Sequence, residues 1–378
     1  ATRKGVRDEE ECIKMAKKIG FPVLLKAANG GGGIGIEVID KKNKDILPAT
    51  FQKIKREAKS AFGSGDIFIE KFLLSPHHIE FQILGDGKGK VIHFGERECS
   101  IQRRHQKLVE EAPSPFLDKK TRKKMGKMAV KFGEYLRYES LGTIEFLIGE
   151  DKKFYFLEVN PRLQVEHPVT ELTTGIDLVE QQIRIANGEK LNLKQKNIKL
   201  SNWAIEFRIY AEDALNNFQP QEGLITKYLP PGGKGIEIHS FCHSGQKIFP
   251  YFDSLISKLV VFGRDRDACL WRARRAFNEY IIGGVFTLIP FYKALIENQN
   301  FFKGKLSTSF IKKENIIGSL RKKYSQKEAK EDKTSQAVEE KELAKILAYL
   351  YQEFKKEEAK ESRINKWRFL DRMKILEE

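Results

Sequence analysis

The sequence has 378 residues, is 40% hydrophobic and carries a formal net charge of +16. That length predicts two or three packed units with real cores, and no apolar run approaches the ~18 residues of a membrane span. The basic residues are spread along the chain with no arginine-rich arm, zinc finger or RNP-type motif, so anionic small molecules are expected rather than nucleic acid or membrane. The cysteines Cys12, Cys99, Cys242 and Cys269 are far apart and show no metal or disulfide spacing. The chain starts on charged residues, Arg3 and Lys4, rather than an apolar leader. Both features predict a reducing cytoplasmic or mitochondrial-matrix setting.

In chain order, Asp8 to Ile19 predicts an amphipathic helix capped by Asp8 and Glu11 and stopped by Gly20. A strand, Phe21 to Ala27, leads into Asn29-Gly30-Gly31-Gly32-Gly33-Ile34-Gly35 and a second strand, Ile36 to Ile39. So many glycines are costly to order, and they suit a flap whose bare amides approach phosphates. An ordinary hairpin turn would need only one or two. No Gly-Lys-Ser/Thr follows, and a strand rather than a helix comes next, which excludes a Walker loop and a dinucleotide fingerprint. Lys26, entering the flap, could meet the same phosphates or be a surface lysine. Pro48 to Ser64 predicts a helix, and Asp66 to Leu73 a strand ending in a linker.

His78 to Gly95 predicts a meander with its turn at Gly85-Asp86-Gly87. The stretch Glu96 to Lys107 is polar throughout except for Cys99 and Ile101. Such a run is usually a solvated face, but its mixture of Gln, Arg, His and Lys reads equally as a polar strand lining a cleft, with His105 inside it. Asp118 to Leu136 predicts a helix. Gly142 to Gln164 then reads as strand, turn, strand. A turn centred on Asp151 and Lys152 puts Glu145 opposite Glu158, with Asn160 two residues on along the same face. Opposed carboxylates repel unless a cation sits between them. Two carboxylates and an amide oxygen are hard ligands suited to Mg²⁺ carrying phosphates; the plainer alternative is a ribbon whose charges face water. His167, beside Pro168, reads as a structural turn residue.

Asp177 with Glu180 caps a helix that Asn187-Gly188 ends. From Trp203 strands alternate: Ala204 to Tyr210, Leu224 to Leu229, Gly235 to His239 and Ile256 to Phe262, followed by a helix from Arg266 to Ile282. From Arg321 the chain is rich in Lys and Glu. Leu343, Ile346, Leu347, Leu350, Tyr351 and Phe354 repeat at helical spacing, behind an expected tether through Tyr324 to Ser335.

These residues closely resemble the biotin carboxylase component of biotin-dependent carboxylases, an ATP-grasp enzyme. The resemblance rests on Lys26 to Gly35, Glu70-Lys71-Phe72-Leu73, Ser100-Ile101-Gln102-Arg103-Arg104-His105-Gln106-Lys107, Gly142 to Phe146, and Glu158 through Pro168. It continues through Glu206-Phe207-Arg208 and Tyr251-Phe252-Asp253-Ser254 to about Ile311. The phrase Glu96-Arg97-Glu98-Cys99-Ser100 and the tail look most like the α chain of propionyl- or methylcrotonyl-type acyl-CoA carboxylases. The implied fold is α+β. An ATP-grasp flap subdomain spans 1–72, and a central subdomain with an antiparallel sheet and the metal and bicarbonate site spans 73–200. A biotin carboxylase C-terminal α+β domain spans 201–312, and a linker with a charged amphipathic helix spans 313–378.

The resemblance implies ATP-dependent carboxylation of biotin on a carrier, using bicarbonate by way of carboxyphosphate. Lys26 and the amides of Gly31, Gly32 and Gly33 would hold phosphate. Glu70, Lys71 and Leu73 would meet adenine, with His78, Gln102 and His105 around the nucleotide. Glu145, Glu158 and Asn160 would hold Mg²⁺ or Mn²⁺. Bicarbonate would sit on Lys107, Arg162, the Val165 backbone and Arg208, with Glu166 as the base and Arg208 stabilising the biotin enolate; Gln164 would be a further binding residue. Implied partners are a biotin carboxyl carrier, further copies of the chain and a carboxyltransferase subunit. The sequence departs from the family at Ile34-Gly35-Ile36, where a basic residue, Gly and Met are expected, and at His239, where an acidic one is. It has no biotin-attachment Ala-Met-Lys-Met motif. The resemblance also implies a further N-terminal lobe, with another nucleotide-contacting lysine, ahead of Lys4. A remnant that binds nucleotide weakly or serves assembly, and another ATP-grasp carboxylate ligase, are the alternatives.

Overall fold

Residues 2, 4–28, 36–335 and 352 are described in this computed structural model. The chain divides into two units, residues 1–316 and 317–378. The glycine run, with Gly31, Gly32 and Gly33, and the apolar stripe from Leu343 to Phe354 lie outside the described residues.

Helix α1 (Glu9–Ile19) starts where the Asp8 side chain accepts the Glu11 N–H and stops at Gly20, at φ +81°. That dihedral suits a residue without Cβ. Strands β1 (Val23–Ala27) and β2 (Ile36–Ile39), helix α2 (Leu47–Phe62) and strand β3 (Ile67–Lys71) follow. The strands form an antiparallel sheet in the order β2-β1-β3. Alternation turns Val23, Leu25, Ala27, Ile67 and Ile69 onto Cys12 and Ala16 of α1 and Phe51 and Ile54 of α2. It therefore turns Leu24, Lys26, Phe68 and Glu70 to the other, partly open face.

The second sheet is built from β4 (His77–Asp86), β5 (Val91–Arg103) and β6 (Gln106–Ala112), then β7 (Glu139–Ile148) and β8 (Phe154–Asn160) after helix α3 (Lys119–Tyr135). Helices α4 (His167–Thr174) and α5 (Leu178–Ala186) precede β9 (Trp203–Tyr210), β10 (Ile236–Ser240) and β11 (Leu255–Gly263), and helix α6 (Arg266–Glu279) follows. The eight strands lie antiparallel in the order β10-β11-β9-β6-β5-β4-β7-β8. Ile79, Phe81 and Ile83 of β4, with Ile144 and Phe146 of β7, bury one face against Met125 and Ala129 of α3. The intervening residues His78, Glu80, Gln82, Thr143 and Glu145 are forced to the opposite face, where they are also buried.

Several expectations change. The polar stretch Glu96 to Lys107 is a hairpin, not one strand: Arg104 and His105 turn the chain at φ +49° and +65°. Those dihedrals are the ones a two-residue hairpin loop needs, and the usual Asn-Gly signal for them is missing. The turn expected at His167 is the first turn of α4, which tolerates Pro168 because its missing N–H would be unpaired there anyway. The helix from Arg266 ends at Glu279, and Ile281–Gly283 pairs as a strand with Lys227–Leu229. The run Leu224 to Leu229 is split between Gly223–Leu224 and Lys227–Leu229, on different partners. The tether expected through Tyr324 to Ser335 belongs to a helix, Ile316–Ser335, as its Lys, Glu, Gln and Ala content favours.

Gly85 sits in β4 between Val91 and Ser140 of its two neighbours. A Cβ there would lie 1.9 Å from the Tyr138 carbonyl oxygen. Gly85→Ala is expected to cost about 1–3 kcal/mol, because the Tyr138 backbone must move. Urea denaturation with an unchanged slope and a lower midpoint would show it; an unchanged midpoint would refute the close-packing argument.

Candidate functional site

Strand register lays a row of charges across the sheet. Glu158 of β8 faces Glu145 of β7, Glu145 faces Glu80 of β4, and Glu80 faces Arg97 of β5. The β7–β8 turn closes one residue earlier than expected, with Ile148 opposite Phe154, and a bulge beside Glu145 restores the Glu145–Glu158 pairing.

Lys107 Nζ lies above this row. It donates to Glu80 Oε2 at 2.5 Å, Glu145 Oε1 at 2.8 Å and Glu166 Oε1 at 2.7 Å. Burial works against the ammonium charge, but Glu80, Glu166 and Glu145 outweigh it and hold the group above the usual lysine range. At the inner end of the row, Arg97 is fully buried and donates to Glu80, Gln82, Thr170, Thr143 and Gln164 at 2.5–3.2 Å. Glu145 also accepts from Asn160 Nδ2 at 2.9 Å and Gln164 Nε2 at 3.1 Å, and its other oxygen meets His78 Nε2 at 2.8 Å. Burial alone would raise the Glu145 carboxyl; the His78 and Lys107 contacts more than reverse it and leave it well below the usual carboxylate range.

Glu166 enters at the N-terminal end of α4. While Lys107 holds one oxygen, Arg208 Nη2 holds the other at 2.9 Å. The same Arg208 nitrogen pairs with Glu110 Oε1. His78 Nδ1 faces the Gln102 amide at 2.6 Å, which also reaches the Cys99 carbonyl at 2.7 Å. Lys258 Nζ of β11 donates to the Val165 carbonyl at 2.8 Å. Arg162 is exposed and, among the described residues, reaches Leu163 O and Asn160 Oδ1 at 3.3 and 3.4 Å.

The structure thus brings together Lys107, Glu145, Asn160, Gln164, Glu166, Arg208, His78 and Gln102, with Glu158, Arg162 and Val165 at their margin. Lys26 and Glu70 share the open face of the small sheet, and Leu73 lies in the segment leading to β4. Lys71 differs from expectation. Alternation puts it on the face of Ile69, and its ammonium donates to the carbonyls of Gly20 and Phe21 at 2.7 and 3.1 Å, where the C-terminal end of α1 attracts a cation. His105 is an exposed turn residue rather than part of a strand. Sequence reasoning missed Glu80, Arg97, Glu110 and Lys258 as functional groups. The available signal was strand period two: Glu80 shares a face with His78 and Gln82 and alternates with Ile79 and Phe81.

The repulsion argument for a cation between Glu145 and Glu158 also changes, since Lys107 and His78 already meet Glu145. The donor set still fits a hard divalent ion. Glu158 is exposed, and Asn160 Nδ2 lies 2.9 Å from Glu145 and 3.5 Å from Glu158, so an amide turned over would offer its oxygen beside two carboxylates.

Residues 1–194 match the family model described as carbamoyl-phosphate synthase L chain, ATP binding domain, and residues 206–313 match the biotin carboxylase C-terminal domain. The chain is 50% identical over 310 residues to a pyruvate carboxylase subunit of Methanothermobacter thermautotrophicus, covering 82% of this chain and 62% of that protein. It is equally identical over the same length to biotin carboxylase of a Nostoc species, covering 82% of this chain and 69% of that one. The biotin carboxylase domain dimer of Hydrogenobacter thermophilus 2-oxoglutarate carboxylase, solved with MgADP, ADP and bicarbonate, superposes with a TM-score of 0.77 at 45% identity, over 84% of this chain and 69% of that one. The chain therefore spans a little under two thirds to about seven tenths of these relatives. The small sheet, the antiparallel sheet and the C-terminal strands form the ATP-grasp biotin carboxylase fold, and the chain belongs to the biotin carboxylase family.

Proposed function

We propose that this chain carries out ATP-dependent carboxylation of biotin on a carrier, with bicarbonate as the carbon source. The observation that carries the reading is Glu166 held between Lys107 and Arg208, one oxygen to each, with Glu145 on the same lysine. That is a carboxylate fixed beside two cations able to receive an anion.

Bicarbonate would enter between Lys107, Arg208 and the exposed Arg162, near Gln164 and Val165. Arginine suits it because a planar fork matches a planar carboxylate. Glu166 takes the bicarbonate proton as an oxygen attacks the γ-phosphorus of ATP and ADP leaves. Carboxyphosphate then releases CO₂ and phosphate, the phosphate takes the proton from the biotin ureido nitrogen, and Arg208 stabilises the resulting biotin enolate, which captures the CO₂. Lys26 and the glycine flap would hold phosphate and exclude water. Glu70 and Leu73 would read adenine, with His78 and Gln102 beside the nucleotide. Glu145, Glu158 and Asn160 would hold Mg²⁺ or Mn²⁺, which when bound offsets phosphate charge.

The finer reading is the α chain of a propionyl- or methylcrotonyl-type acyl-CoA carboxylase, supported by Glu96 to Ser100 and the charged tail. Its partners would be a biotin carboxyl carrier, a second copy of the chain and a carboxyltransferase subunit. Four free, buried cysteines support a reducing cytoplasmic or matrix setting. The name of one relative points instead to pyruvate and that of another to 2-oxoglutarate. Assembly with each type of carboxyltransferase separates these acceptors.

ADP release, measured with Mg²⁺, bicarbonate and free biotin each omitted in turn, tests the reading. Release that needs all three is expected. No release from the complete mixture would favour a remnant that binds nucleotide or serves assembly. Arg162→Ala is expected to lower turnover about 10²-fold with nucleotide affinity largely kept, as for the loss of one preorganised donor; near-normal turnover would remove Arg162 from the bicarbonate site. Glu158→Gln is expected to raise the Mg²⁺ concentration for half-maximal nucleotide binding about 10-fold, and an unchanged Mg²⁺ titration would exclude it as a ligand.

A further inference from the structure

The mechanism above leaves two carboxyls unused. Glu110 of β6 and Glu206 of β9 stand directly opposite each other across the antiparallel pair, and both are fully buried. Glu110 Oε1 lies against Arg208 Nη2 as an ion pair. The second Glu110 oxygen and both Glu206 oxygens have no hydrogen-bond partner. Among the charges that act most strongly on Glu206 are Glu110 from β6, Lys258 from β11, Arg208 two residues along its own strand, and Glu166 from the start of α4. Lys258 is committed to the Val165 carbonyl, and among the described residues no cation forms an ion pair with Glu206.

Two carboxylates side by side across a strand pair, cut off from water and with a guanidinium ion-paired to only one of them, cannot both keep a charge. We propose that Glu110 and Glu206 hold a proton between them, with Glu206 the neutral member, so that a single negative charge anchors Arg208 from behind the bicarbonate site. Burial first, and then the Glu110 charge, push Glu206 well above its ordinary value. Burial pushes Glu110 to about 7 against the pull of Arg208. The two titrate as one unit.

Glu206 and Glu110 are thus positioning residues. They touch no substrate and act through Arg208, which is also ion-paired with Glu166. With one charge behind it, Arg208 stays attached and still draws an anion from the open side. With two, its charge would be over-compensated. This proposal rests on the reading of Arg208 as a bicarbonate residue, but the proton itself can be observed without any activity.

The experiment is infrared spectroscopy of the full chain at neutral pH, in H₂O and D₂O, for wild type, Glu206→Gln and Glu206→Met. Wild type is expected to show a carboxylic-acid C=O band, shifted in D₂O, that both variants lose. The methionine keeps the side-chain volume without a polar group if the glutamine variant does not fold. No such band, or a band unchanged in the variants, overturns the proposal whether or not ADP is released. Where the chain releases ADP, the bicarbonate KM of wild type is expected to rise about tenfold at alkaline pH, as a second charge appears behind Arg208. In Glu206→Gln it stays flat, because an amide cannot ionise. An equal rise in both overturns the positioning role while the band still reports the proton.

Discussion

Three carboxylates converge on the Lys107 ammonium, and the rest of the site depends on that one contact. Glu80, Glu145 and Glu166 come from two strands and the end of a loop, and their charges would drive the elements apart. Lys107 joins them within 2.8 Å. A buried charge is tolerated only when paired and fully hydrogen-bonded, and removing the lysine would take one partner from three carboxylates at once, leaving Glu80 on Arg97, Glu145 on His78 and Glu166 on Arg208. Arg97 meets the same requirement with its donors spread over five partners. The geometry needed for chemistry is thus also the geometry that lets the sheet close.

The sheet gives this arrangement its precision. Neighbouring charges are fixed by ladder register rather than by loop conformation, and one face of β4 and β7 is already committed to the apolar core on α3. A one-residue slip of β4 would put His78 and Glu80 into that core and Ile79 into the polar row. The bulge in β7–β8 is the local exception that aligns Glu158 with Glu145. Lys71 does a related job in the small sheet, tying its last strand to the end of α1.

Helix boundaries were legible because caps are local: Asp8, Asp118 and Asp177 each accept the N–H three residues on. The hairpin carrying Glu145 and Glu158 was legible because alternation and a polar turn agree. The hairpin turn at Arg104 and His105 was hidden because neither residue advertises positive φ. Glu80 and Arg97 were hidden for another reason. Polar residues at period two look the same whether they face water or a buried network, and only the neighbouring strands decide which. Lys71 was readable in principle, since Ile67, Ile69 and Lys71 share a face, but the motif around it points to a ligand instead.

The charge row also differs in permanence from one end to the other. Arg97 and Glu80 are wholly enclosed, Glu145 retains 3% of its surface and Glu158 is open at the sheet edge. Interior members are paired with other protein groups, while among the described residues the rim members Glu158 and Arg162 have weak or distant partners. On the proposed reading, a cation and an anion would be exchanged at the margin without the interior losing compensation. The molecule separates charges that are structure from charges that are currency, and it does so along a single line of strand register.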